Sequence, residues 1–155
     1  MKLEILNNDK ENEDVLEAQL SDANPAIANA LRRSMMTKVP TLAVKELHIN
    51  QNESALFDEV LANRIGQIPL TIPQNIDEDD TVHIAVQQEG PSPVHASAIK
   101  TGNDEAEPVQ PDTLIVELNE DQKLTLEGEA VLGNGSSHAK HQAGTIGYQK
   151  TQEGQ

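Results

Sequence analysis

The stretch KLTLEGEAVL, Lys123 to Leu132, constrains the fold more than any other part of the chain. Leu124, Leu126, Ala130 and Leu132 recur at even spacing, which places them on one face of an extended strand. On a helix the same four side chains would scatter around the axis. A strand with one apolar face must sit in a sheet and under a covering layer, and the rest of the chain has to supply both. Residues 81–88 read as a second half-buried strand, with Val82, Ile84 and Val86 alternating. Residues 114–118 form a compact third strand and residues 41–49 a fourth, followed by the polar loop NQNES.

Around this β set the sequence predicts two helices and a leading hairpin. Residues 2–6 and 15–20 read as short strands separated by the polar turn NNDKENED. The segment SDANP then starts a helix, with Asp22 or Asn24 as N-cap and Pro25 in the first turn, where a missing N–H costs nothing. That helix should run to about Lys38, because Pro40 stops it and pushes Val39 towards extended geometry. Ser54 is placed to cap a second helix over residues 57–65, ending at Gly66, and IPLTIP after it is extended. Residues 89–112 read mainly as loop with one short strand near 94–99, and the last residues, TQEGQ, as a frayed tail. The mixture of separate strands and helices is α+β, with no internal repeat.

Composition narrows the function. With 26 Asp+Glu against 11 Lys+Arg, a net charge of −15 argues against general DNA binding, which needs a basic footprint. The regular apolar patterning separates the chain from disordered acidic proteins. A salt-rich host fits better: at molar salt the Debye length is about 3 Å, so dense like charges barely repel. The absence of cysteine removes disulfides, thiolate metal sites and iron–sulfur clusters. No apolar run of signal-peptide or membrane-spanning length is present, which points to a cytoplasmic protein with no membrane partner.

The stretch NALRRSMMTKVPT, Asn29 to Thr41, concentrates the scarcest charge, since two of only three arginines are adjacent in it. At about 100° per residue, Ile27, Leu31 and Met35 make a core-facing stripe. Arg32 and Arg33 fall on the other side and flank Asn29 and Met36, so an apolar methionine lies between two guanidinium groups. A lone arginine there would be an ordinary surface charge. An adjacent pair beside an apolar side chain suits a second covered face, because the planar guanidinium fork pairs with carboxylates and is weakly hydrated.

The run NALRRSMMTKVPTLAVKELHINQNESALFDEVLANRIGQIPL closely resembles the signature of the D-type subunits of archaeal DNA-directed RNA polymerase, a family shared with the bacterial α subunit and its eukaryotic counterparts. An N-A-L-R-R helix, V-P-T, and a D-E-x-L-A-x-R-x-G-x-I-P-L segment follow in order as Asn29–Arg33, Val39–Thr41 and Asp58–Leu70. GNGSSHAKHQ, after the strand KLTLEGEAVL, resembles the family's G-x-G-x-x-H-A-K-x-Q loop. The resemblance spans most of residues 1–148 and implies an RNA polymerase α/D-like fold. Residues 1–41 would be the N-terminal part of a dimerisation domain, residues 42–148 a largely β insert domain, and residues 149–155 a frayed tail. Family members continue with a strand and a long helix that complete the dimerisation domain. That part is expected to be missing here, which would leave the Ile27–Leu31–Met35 stripe without its cover.

The resemblance further implies an assembly subunit rather than a catalyst. A D-like chain pairs with an L-like small subunit, the heterodimer is the platform for the second-largest subunit, and N- and P-type small subunits join it. Nucleotidyl transfer belongs to the largest subunits. Interface residues expected by motif are Asn29, Arg32, Arg33, Met36 and Pro40 with the stripe, Asp58, Glu59 and Arg64 beside the second-largest subunit, and the loop residues His138, Lys140 and His141.

Competing sites carry less. His138 and His141 are three apart, a spacing that can bring two imidazoles to one zinc, with His83, His95 or a carboxylate as a third ligand. Structural zinc takes four ligands, and no second Cys/His pair exists, so a polar loop packing on a neighbouring subunit is the better reading and no cofactor is expected. Asp77–Asp80 lacks the glycine and spacing of an EF-hand loop. No nucleophile elbow or phosphate loop is present. The alternative function is a free-standing acidic metal- or ligand-binding module on the same fold.

Overall fold

A computed structural model describes residues 1–8 and 15–151. Most of the expected NNDKENED turn and the last four residues of the expected frayed tail lie outside the described residues. The chain forms two compact units, Met1–Met36 with Gly144–Gln155, and Thr37–Ala143.

In the first unit, β1 (Lys2–Asn8) and β2 (Leu16–Ser21) make an antiparallel pair in which Leu3 faces Leu20 and Ile5 faces Ala18. Helix α1 (Pro25–Lys38) follows. Of the two candidate caps it is Asn24 that serves, its Oδ1 accepting from the Ile27 N–H at 2.9 Å. Asp22 instead takes a left-handed φ of 55°, a conformation that Asp tolerates, at the turn into the helix. The expected core-facing stripe is a correction: Ile27, Leu31 and Met35 remain 39%, 38% and 41% exposed, and α1 has no buried residue. Periodicity identifies an apolar face, but burial requires an opposing layer, and nothing among the described residues closes over this one.

In the second unit, β3 (Pro40–Asn52), β8 (Lys123–Asn134), β4 (Thr81–Glu89) and β6 (Lys100–Thr101) form one antiparallel sheet in that spatial order. A two-stranded sheet joins β5 (Ser92–His95) to β7 (Leu114–Leu118). The side chains that alternate in the sequence make the core: Val82, Ile84 and Val86 of β4 and Leu124, Leu126 and Ala130 of β8 are buried, with Leu132 packed partly against them. Helix α2 (Asp58–Gly66) has nine residues, too few to hold without tertiary support. Its Leu61 and Ile65, one turn apart, are fully buried in the same core. Each such side chain contributes about 1.5–3 kcal/mol by leaving water.

Three expectations need adjustment. Strand β3 runs through Asn52 rather than ending at Ile49, because β8 continues to pair with it down to Leu124. Ser54 does not cap α2: its Oγ donates to Asn52 Oδ1 at 2.6 Å, and the helix begins only after Phe57, which offers no side-chain cap. Residues 89–112 hold two short strands, β5 and β6, separated by a 3-10 turn at Ala96–Ala98, rather than one.

Candidate subunit interface

The interface residues expected from the sequence fall in three places, of which the first lies in the first unit and the others in the second. On α1 the stripe Ile27–Leu31–Met35 is exposed, whereas Asn29, Arg32 and Met36 form a half-buried row. Arg32 lies along this row. Its Nε and Nη2 donate to Asn29 Oδ1 at 3.2 and 3.1 Å, and its Nη1 reaches Met36 Sδ at 3.4 Å. The spacings i to i+3 and i to i+4 make these contacts possible. The guanidinium is thus held along the helix surface by Asn29 and Met36. Arg33 is exposed. Helix α1 therefore presents an apolar stripe on one side and an ordered arginine row on another.

The second place is α2. Asp58 and Glu59 occupy its first turn, where their charges favour the positive end of the helix dipole. Asp58 Oδ1 accepts from Asn52 Nδ2 at 2.7 Å, which ties the helix start to the end of β3. Arg64 Nη1 donates to the Ile115 carbonyl at 2.8 Å, so this arginine fastens α2 to β7.

The third place is the loop after β8. Pro40 opens β3 opposite Asn134, the last residue of β8. Ser136 Oγ donates to Thr37 O at 3.0 Å and starts the loop's return path. A 3-10 turn, Ala139–His141, follows, with His138 Nδ1 accepting from the Lys140 N–H at 3.1 Å. His138 is exposed, but His141 is only 4% exposed, the one buried polar or charged side chain among the described residues. Its Nδ1 lies 3.1 Å from the Thr41 carbonyl, so Nδ1 carries the proton and donates. Burial pushes the proton affinity of His141 down, the Thr41 carbonyl partly offsetting it, which favours the neutral ring.

The ring of His141 rests on Gly133. A Cβ at that glycine would lie 2.7 Å from both Cδ2 and Nε2 of the imidazole. The glycine is required for close approach, not for a turn. Lys140 Nζ donates to the Val44 carbonyl at 2.8 Å, and burial, with the charge of Lys45 beside it, lowers its proton affinity. The two histidines of HAKH thus diverge. One is exposed with its Nδ1 taken by backbone, and the other is buried with its Nδ1 on Thr41. Among the described residues no three His, Asp or Glu side chains are grouped to hold a metal ion. No helix among them is long and apolar enough to cross a membrane.

Lys45, Asn63 and Gln67 line a cleft beside this loop, yet no motif in the sequence singles them out. The one available signal is that Lys45 is the exposed residue that ends the buried run LAV of β3.

A mostly antiparallel β unit that carries one short helix, with a glycine-seated histidine loop after its long central strand, has a match among known families. Residues 41–149 match the RNA polymerase Rpb3/RpoA insert domain, and the chain belongs to that family. Its relatives include the DNA-directed RNA polymerase subunit Rpo3 of Natronomonas pharaonis, 43% identical over 129 residues, covering 83% of this chain and 52% of the relative. The Rpo3 subunit of Halobacterium salinarum is 39% identical over 129 residues, with the same coverage of 83% and 52%. That of Pyrococcus horikoshii is 39% identical over 155 residues, covering 96% of this chain and 59% of the relative. The chain therefore spans between half and three fifths of the length of these relatives.

Proposed function

We propose that this chain is a non-catalytic assembly subunit of a DNA-directed RNA polymerase in the cytoplasm. In this reading residues 1–41 form part of a dimerisation domain that pairs with an L-like small subunit, and residues 42–148 are the insert domain. The heterodimer is the platform for docking of the second-largest subunit, and N- and P-type small subunits join it. The relatives, all polymerase subunits by name, support the reading. The observation that carries it is α1, whose apolar stripe of Ile27, Leu31 and Met35 is exposed beside the ordered Asn29–Arg32–Met36 row. An apolar stripe left in water is unfavourable, and covering it releases about 25 cal/mol for each Å² buried.

Two variants test this. Leu31→Asp places a charge in the exposed stripe, and Arg32→Ala combined with Arg33→Ala removes the ordered row. Both should leave the circular dichroism of the isolated chain unchanged while weakening co-purification with the L-like or second-largest subunit by at least about tenfold, as loss of a central interface anchor does. Polymerase that assembles normally with both variants sinks the reading.

A further inference from the structure

A cleft of about 460 Å³ lies between α2, β3 and the 3-10 turn that carries Lys140. Its lining runs against the character of the chain. Asp and Glu make up 26 of the 155 residues, so a dozen residues drawn at random would include about two carboxylates. The twelve lining residues include none, but contain Lys45, Lys140 and His138. Lys45 makes no ion pair among the described residues, and Lys140 is fixed in place by its bond to the Val44 carbonyl. The charges of Lys45 and Lys140 repel each other, so both are poised for an anion placed between them.

The remaining lining says what kind of anion. Leu47, Ala62 and Pro69 give apolar walls, whereas the Val44 side chain is buried in the core and only its carbonyl is engaged from the cleft, by Lys140. Also in the lining, Gln67 Nε2 donates to Asn63 Oδ1 at 3.1 Å, which leaves Asn63 Nδ2 to donate and Gln67 Oε1 to accept. One remaining donor and one remaining acceptor are the complement that a peptide group offers. A free inorganic anion would use the two ammonium groups and leave the walls and the amide pair idle. The volume is within the range of pockets that enclose a small group of side chains.

We propose that this cleft receives an acidic peptide segment of a partner protein, with a Glu or Asp carboxylate seated between Lys45 and Lys140 and an apolar neighbour against Leu47 and Pro69. The proposal rests on the reading of the chain as an assembly subunit, and it names the chemistry of one partner at one site. It also gives the loop after β8 a purpose: His141 on Gly133 anchors the turn, and the turn delivers Lys140.

The test is a two-dimensional amide NMR titration of the full chain with acetyl-Leu-Glu-Leu-amide, acetyl-Leu-Gln-Leu-amide and inorganic phosphate. The glutamate peptide should give saturable shifts at the amides of Lys45, Gln67 and Lys140. The glutamine peptide should bind about fivefold more weakly, and Lys45→Gln should weaken the glutamate peptide to the same degree, the worth of one partly exposed ion pair. The Lys45 side chain holds no other element in place, and the variant's own spectrum verifies that it is folded. No saturable shift with the glutamate peptide, or equal binding of the two peptides, overturns the proposal. Phosphate binding as tightly as the glutamate peptide overturns it too, in favour of a free-anion site. Because the titration needs no other polymerase chain, its failure is separable from failure of the assembly reading, which the α1 variants address.

Discussion

His141→Ala probes the contact that fastens the loop to one end of the β3–β8 pair, where Thr41 and Gly133 are register partners. The substitution removes the hydrogen bond to the Thr41 carbonyl, worth about 1 kcal/mol. It also removes a ring that is 4% exposed and rests on Gly133, worth roughly 1–2 kcal/mol in lost burial. The expected loss is about 2–3 kcal/mol, which lowers Tm by about 10 °C for a unit of this size. The amides of His141 and Gln142, bonded to the His138 and Ala139 carbonyls, should also exchange faster with solvent. A pH series sharpens the test. The folded state lowers the proton affinity of His141, so between that lowered pKa and the ordinary 6.5 the unfolded chain binds more protons. The stabilisation by His141 is complete above 6.5 and declines as pH falls below it. The gap between wild type and His141→Ala should therefore be widest at about pH 7 and narrower at about pH 5. A Tm change under about 2 °C, or a gap that does not vary with pH, would refute the argument that a buried neutral imidazole holds the loop.

Gly133→Ala should cost about 2 kcal/mol, because its Cβ must displace the His141 ring. In the double variant with His141→Ala that cost should largely vanish in a denaturation double-mutant cycle, whereas simple additivity would show that the glycine serves something else. In calorimetry at neutral pH, zinc should show no sub-micromolar binding, and tight binding lost in His141→Ala would restore HAKH as a metal site.

Structure was most legible in the sequence where one physical requirement acts alone. Strands β4 and β8 each bury one face against the core, so their alternation could be read directly from Val82, Ile84, Val86 and from Leu124, Leu126, Ala130. Elements decided by a distant partner were less legible. Asn50, Gln51 and Asn52 look like loop, but past a bulge at Asn50 the pairing with β8 continues at Gln51 and Asn52. Ser54 has the chemistry of a cap, yet Asn52 captures its hydroxyl first. At the candidate interface periodicity made the face composition of α1 legible but carries no information about what lies opposite, so the exposure of its stripe could be expected only from the resemblance. His141 was the deepest miss. HAKH reads as a polar pair, and only the glycine eight positions earlier hints that one ring needs a seat without a Cβ.

The strand order has a consequence for how the chain can be made. Strand β8 lies between β3 and β4, yet it is the last of the four to leave the ribosome. The pairs from Asn52↔Leu124 to Pro40↔Asn134 join residues 72 to 94 positions apart, so closing them carries a large loop entropy and no local hairpin can substitute. Until residue 134 has emerged, a nascent chain holds β3 and β4 as two open edges with their apolar faces uncovered, the state in which strands pair wrongly. The sheet is therefore completed late, by a single strand that supplies two of its three pairings, those to β3 and to β4. The same strand leads directly into the loop carrying Lys140 and His141, so the candidate docking features take shape only when the fold behind them is finished.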